Sequence, residues 1–408
     1  MPSREYLSHR ADIELKSCSL PNETDSIGIN GVVYPLPTDL ERDKWLEEVR
    51  RRAAAARDAG KTVVVVQGLG FVGAVMAAVV ANSADASGEP RHFVIGVDLP
   101  RPSTFWKVGM INNGEAPVVS SDPAVGEYVA RAVRENQNLV ALADERAFSL
   151  ADVVLVDVQL DVEERLATAG SVQVVLDPFR EAIAAIGRHM SAGTLVVIET
   201  TVPPGTTSLV VAPILARELK QRGIKGEPLV AHSYERVMPG PNYVRSIESF
   251  WRTFAGLSSE AADRAEAFLS TVVNTSDFPL RRLEDPTASE LAKVLENSYR
   301  AANIAFIQEW TLAAEELGVN LFEVVDSVAV RRGTHDNIMR PGFGVGGYCL
   351  TKDGYLAQWG VRELFGGSTE LGVTLRALDI NYQMPRHSFD LLQSAMGGGA
   401  SRGEGSLL

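Results

Sequence analysis

Thr62-Val63-Val64-Val65-Val66-Gln67 runs directly into Gly68-Leu69-Gly70-Phe71-Val72-Gly73, and no other stretch of the chain restricts the fold so strongly. An unbroken β-branched run has no polar face to turn toward water. It predicts a strand buried on both sides, as in a parallel sheet covered by helices. The glycines predict a tight turn that opens a helix. Gly68 permits the turn, Gly70 lets the backbone approach a pyrophosphate, and Gly73 lets helix and strand pack closely. With Phe71 and Val72 they form a cofactor-binding loop, whose helix N-terminus attracts phosphate. Further strands are expected at His92–Val97, 153–158, 195–200 and Leu229–His232, separated by helical patterns at 73–81, 124–135 and 178–190. This alternation predicts an α/β fold with an N-terminal Rossmann-type, doubly wound parallel sheet over residues 61–235.

Residues 1–60 read as an N-terminal extension. Its first 38 residues are turn-rich and suit a short hairpin or arm, and a charge-laced helix follows from Asp39 to Ala59, stopped by Gly60. Residues 236–395 are expected to form an all-helical central domain. Asp285 as N-cap and Pro286 as first residue start a spine helix over 286–317 that Gly318 stops. At 1.5 Å per residue it is on the order of 45 Å long, and apolar residues on more than one face suit a homodimer spine. A second helix covers 320–332, and a third begins near Ser368, with Pro385 expected to kink or end it. Residues 396–408 read as a disordered tail.

The formal net charge of −13 repels polyanions, which argues against nucleic acid and anionic membrane as partners. Two distant cysteines, Cys18 and Cys349, give neither a disulfide framework nor a zinc site, so no metal is expected. The first twenty residues are charged and no segment is apolar enough to span a bilayer, so a cytoplasmic setting is the default.

The second strand ends on Asp98. A carboxylate there hydrogen-bonds an adenosine ribose and repels a 2′-phosphate, which favours NAD over NADP. Asp98 lies thirty residues beyond Gly68, and the loop 82–90 reads as the insertion responsible. Four glycines (Gly342, Gly344, Gly346, Gly347) precede Cys349, with Lys352 and Asp353 behind it. A free Cys is most often a structural thiol. A loop so rich in glycine instead wraps closely around something, and Lys352 and backbone N–H groups are expected to lower the thiol pKa. On the spine helix Glu290, Lys293, Asn297 and Arg300 share one face. Such a stripe is either a solvated surface or the wall of a site.

Together these residues resemble the UDP-glucose/GDP-mannose dehydrogenase family. The match runs from the Gly68 loop and Asp98 through Asn113-Gly114-Glu115-Ala116-Pro117 to Glu199-Thr200-Thr201-Val202-Pro203-Pro204-Gly205-Thr206. It continues in Tyr234-Glu235-Arg236-Val237-Met238-Pro239-Gly240, Lys293 and Asn297, and Gly346-Gly347-Tyr348-Cys349-Leu350-Thr351-Lys352-Asp353. The resemblance implies NAD-dependent oxidation of the C6 alcohol of a nucleotide sugar, a UDP-sugar before others, to a carboxylate. Cys349 would be the nucleophile, passing through a thiohemiacetal and a thioester. Lys293 and Asn297 would stabilise the oxyanion, Asp353 and Thr201 would position water or relay protons, and Glu235 would assist hydrolysis. Lys352 would sit on the cofactor side, and Arg236, Gly344, Gly346 and Gly347 on the substrate. The family's Asn-Pro-Glu is here Ser233-Tyr234-Glu235, Thr351 replaces a proline, and Val158-Gln159-Leu160-Asp161 replaces a segment that usually reads like VPTP. The family's third, nucleotide-binding domain would begin about where this chain ends. Two other readings stay open: a two-electron alcohol dehydrogenase on a non-standard sugar or nucleoside, and a catalytically silent NAD-binding subunit that pairs with a complete homologue.

Overall fold

The structure is a computed structural model that describes residues 25–163 and 173–396; Cys18 and the tail after Met396 lie outside them. Ten strands follow in chain order: β1 Asp25–Ile27, β2 Val33–Pro35, β3 Thr62–Gln67, β4 His92–Val97, β5 Leu139–Leu142, β6 Val153–Val156, β7 Leu195–Ile198, β8 Leu229–His232, β9 Thr253–Gly256 and β10 Arg281–Arg282. β1 and β2 make the expected small antiparallel hairpin. The other eight form one sheet in the order β10-β9-β8-β7-β6-β3-β4-β5. From β5 to β8 every pairing is parallel, and β3 lies at the centre, where the chain winds out first to one side and then to the other. Val63 to Val66 are completely buried, as a strand covered on both faces requires.

Two apolar layers cover the sheet. On one face lie the helices Gly73–Asn82, Phe105–Asn112 and Ser259–Val272. On the other lie Asp177–His189, Ala212–Gln221 and the N-terminal helix Asp39–Asp58. The last buries Leu46, Val49 and Ala53 against the sheet and begins with a capping box between Thr38 and Glu41, so it belongs to the sheet's own layers.

Three expectations change. The sheet does not stop at residue 235: β9, antiparallel to β8, and β10 add to its edge, so the central region is helical only beyond them. These strands and β5 are two to four residues long, too short for a period to register. The strands expected to reach residues 158 and 200 end at Val156 and Ile198. Of the two outcomes expected at Pro385, kinking or ending, the second does not occur, because the helix Gly372–Ala395 runs through it. The proline removes the N–H that would bond the Asn381 carbonyl, and the backbone of Gly344 packs there: a Cβ on Gly344 would lie 2.5 Å from that oxygen.

The spine helix is Pro286–Leu317, 32 residues, and its ends are those expected. The Asp285 side chain accepts the Ala288 N–H at 3.2 Å, and Gly318 takes a left-handed φ of 66°. The helix Gly372–Ala395 packs along it.

Candidate active site

The Gly68 loop is built as its sequence demands. Gly68 has φ of 92°, and a Cβ there would meet the Asp157 carbonyl oxygen at 2.7 Å. A Cβ on Gly73 would fall 1.9 Å from the Gly68 carbonyl oxygen, so helix and turn touch backbone to backbone. A Cβ on Gly70 would meet nothing within 4 Å, which leaves the loop's outer side free for a pyrophosphate. Phe71 is exposed, and its carbonyl accepts the Tyr243 hydroxyl. Val72 precedes the first residue of the helix Gly73–Asn82, which has no side-chain cap of its own. Asp98 closes the loop from β4: Oδ2 accepts the Leu69 N–H at 3.1 Å and Oδ1 the Leu99 N–H at 2.7 Å. The insertion between helix and β4 is a small hairpin, bridged from Ala84 to Pro90 and held by Asp85 Oδ1. The strand, the turn and the acid thus fit a dinucleotide.

The second cluster comes from three segments. Cys349 is a free thiol, exposed at the end of the glycine loop. Its carbonyl accepts the N–H groups of Lys352 (3.2 Å) and Asp353 (3.1 Å), which starts the short helix Asp353–Trp359. Behind it Asp353 is buried, and its Oδ2 accepts Asn297 Nδ2 at 2.6 Å. Its other oxygen lies 3.4 Å from Lys352 Nζ, an ion pair without the alignment of a hydrogen bond. Lys293, also buried, donates to the carbonyl of Glu235 at 3.0 Å. At Lys293 and Asn297 the polar stripe on the spine helix is therefore turned inward, bonded to Glu235 and Asp353, rather than a solvated surface. Arg300 stays exposed. Glu235 and Arg236 are half-buried, and Thr351 Oγ1 bonds the Gly347 carbonyl at 2.9 Å. A Cβ on Gly346 or Gly347 would meet open space, whereas one on Gly344 would meet the Asn381 carbonyl oxygen. Thr201 is half-buried just beyond β7, and among the described residues no hydrogen bond ties it to this cluster.

Residues 62–267 match the NAD binding domain of the UDP-glucose/GDP-mannose dehydrogenase family, and residues 287–381 match its central domain. The chain belongs to this family. NAD is the cofactor of its first domain, and the chain is an NAD-dependent dehydrogenase of the nucleotide-sugar type. It is 30% identical over 342 residues to UDP-N-acetyl-D-mannosamine dehydrogenase of Pyrococcus horikoshii, covering 82% of this chain and 71% of that protein. The enzyme of the same name from Methanocaldococcus jannaschii is 30% identical over 294 residues, 72% of this chain and 60% of its own length. Among solved structures, NDP-N-acetyl-D-galactosaminuronic acid dehydrogenase from Methanosarcina mazei superposes with a TM-score of 0.67 at 26% identity, covering 85% of this chain and 72% of that one.

Within this family member the electrostatics correct one expectation. The thiol pKa of Cys349 is raised, not lowered. The protein packed around it disfavours the thiolate most, and Asp353 and Glu235 add repulsion that Lys293 and Lys352 only partly offset. Cys349 is exposed as a residue, yet the surrounding protein sets its proton affinity.

Sequence reasoning did not supply the partners of three groups. Lys107 pairs with Asp98 at 3.1 Å and is the cation beside that carboxylate. Asp157 and Glu199 end adjacent strands, and Arg252 is bonded to Glu199. Burial raises both carboxyls, with Glu235 adding repulsion to each. The third is Glu290 on the spine helix, whose carboxylate accepts the N–H groups of Gly205 (2.5 Å) and Thr207 (2.7 Å) and so ties the segment after Thr201 to the helix that carries Lys293. Its spacing from Lys293 and Asn297 marked it as a neighbour, but only the fold shows what it holds.

Glu290 carries a pH signature. Burial raises its pKa from 4.5 to about 7, against the pull of Thr207 and Gly205. A folded value above the unfolded one means the folded chain takes the proton first, so this group's contribution to stability falls as pH rises from 4.5 through about 7. Glu290→Gln does not titrate. The stability advantage of the native chain over that variant should shrink by about 3 kcal/mol between pH 4.5 and 7.5. Urea unfolding at the two pH values measures it, and a gap that stays flat refutes the assignment.

Proposed function

We propose that this chain oxidises the C6 alcohol of a nucleotide sugar, a UDP-sugar before others, to the carboxylate in two successive two-electron steps. One observation supports the reading: the one free thiol among the described residues, Cys349, is exposed on the loop that carries Asp353, which Asn297 bonds, while Lys293 of the same helix bonds the Glu235 carbonyl, so three separate segments meet here. When bound, NAD supplies the hydride acceptor for both steps. Gly346, Gly347 and Arg236 hold the substrate. Lys293 and the amide of Asn297, the latter fixed by Asp353, stabilise the negative charge that develops on the C6 oxygen. Cys349 adds to the aldehyde, which keeps it bound and turns the second oxidation into formation of a thioester. Glu235, with Thr201 and Asp353 positioning water, takes the proton from the water that releases the acid.

The test is stoichiometry. With UDP-N-acetyl-D-mannosamine and other UDP-, GDP-, CDP- and dTDP-sugars, a substrate should yield two NADH per molecule and a carboxylate product. One NADH per molecule, or none across the panel, overturns the proposal.

The same reading includes a homodimer through the spine helix and a cytoplasmic setting, which keeps Cys349 reduced. Leu291, Leu295, Tyr299, Phe306, Trp310 and Leu317 are 48 to 75% exposed and recur along one helix, a stripe of the kind that pairing covers. Light scattering should give twice the chain mass of 44.0 kDa, and Leu295→Asp with Trp310→Asp should halve it. A native mass of one chain at micromolar concentration contradicts the pairing.

A further inference from the structure

Tyr234 stands where the family segment that this chain resembles carries a proline. Its side chain is 1% exposed, so no substrate reaches it. Two cations lie against its ring: Lys293 Nζ is 5.4 Å and the Arg236 guanidinium 5.3 Å from the ring centroid. One of those guanidinium nitrogens also donates to the Tyr234 hydroxyl at 2.9 Å. The remaining contacts of each cation are few. Lys293 has the Glu235 carbonyl at 3.0 Å, while Arg236 has Glu296 at 3.1 Å and the Phe250 ring at 5.5 Å. A proline offers neither a π face nor a hydroxyl, so it could hold neither cation in this way.

We propose that Tyr234 is a positioning residue with two separable parts. The ring face holds the Lys293 ammonium where the C6 oxygen develops its charge, and the hydroxyl holds the Arg236 guanidinium toward the substrate. This rests on the reading above, in which Lys293 acts on the reacting centre and Arg236 on the bound sugar. The electron-rich face attracts a cation without taking one of its N–H donors, so those that Lys293 does not give to the Glu235 carbonyl stay free for an oxyanion. A hydrogen bond to the guanidinium adds direction that the face alone does not give.

The two parts are tested by Tyr234→Phe and Tyr234→Leu. In NADH formation from UDP-N-acetyl-D-mannosamine, Tyr234→Phe should raise KM roughly three- to tenfold, the size of one lost hydrogen bond, with kcat within about twofold of native. Tyr234→Leu should raise KM likewise and also lower kcat by roughly three- to thirtyfold, the range of a cation–π contact. A role in folding alone would move stability without splitting KM from kcat. Equal kcat in Tyr234→Leu and the native chain, or identical constants in the two variants, overturns the proposal. A readout independent of turnover is the urea unfolding of Tyr234→Leu, Lys293→Met and the double variant. Coupled residues lose less together than the sum of the single losses. Strict additivity refutes the ring contact even if no sugar in the panel is a substrate, whereas coupling without turnover upholds the contact and sinks the proposed function instead.

Discussion

Cys349→Ser should bind NAD with native affinity and lose acid formation by at least about a thousandfold, because the covalent step that holds the aldehyde and permits the second oxidation disappears. Serine keeps the shape of this exposed side chain with a slightly smaller heavy atom, so the melting temperature should stay close to native. A second measurement follows from the raised pKa of the thiol, set by burial first and by Asp353 next. Only the thiolate alkylates. Its fraction rises about tenfold per pH unit below the pKa, so iodoacetamide should modify the free enzyme slowly at pH 7 and ever faster up to pH 9 without a plateau. A plateau near neutrality would show a thiol already activated before substrate binds. Acid formation by Cys349→Ser at the native rate would remove the thioester from the mechanism.

Gly73→Ala should be the most damaging small substitution in the first domain. The new methyl would lie 1.9 Å from the Gly68 carbonyl oxygen, a backbone atom that cannot rotate away. Either the helix Gly73–Asn82 retreats or the turn opens, and both movements disturb a fully buried layer. Overpacking of this kind costs about 3 kcal/mol or more, and the displaced helix N-terminus should weaken NAD binding at least roughly tenfold. Gly70→Ala separates the two effects. Nothing lies within 4 Å of its Cβ, so the fold should keep its stability to within about 0.5 kcal/mol, while the methyl stands where the pyrophosphate approaches. Differential scanning calorimetry and titration with NAD read both variants. A native melting temperature for Gly73→Ala, or native NAD affinity for Gly70→Ala, contradicts this account of the loop.

Some of this was legible in the residues alone. The Thr62–Gln67 run and the glycines after it specify a buried strand, a turn and a helix, because each of those needs is local: β-branching, missing Cβ atoms and a periodic apolar face. The same holds for the spine helix, whose Asp285, Pro286 and Gly318 mark its ends at the residues observed. Lys293 and Asn297 could be placed on one helical face by spacing, and Cys349 beside Lys352 and Asp353 by adjacency.

What the residues alone did not decide were the relations between distant segments. The short strands β5, β9 and β10 have no period of their own and exist because a neighbouring strand supplies their hydrogen bonds. Glu290 grips the Gly205 loop from 85 positions away, and Lys107 reaches Asp98 across a turn of nine. The proton affinity of Cys349 was misjudged for the same reason. The nearby Lys352 favours the thiolate and the nearby Asp353 opposes it, but the burial that weighs most, and the charge of the distant Glu235, come from folding. Local backbone preference and hydrophobic period are written in sequence order. Desolvation and charge pairing depend on distance in space, and those only the tertiary structure sets.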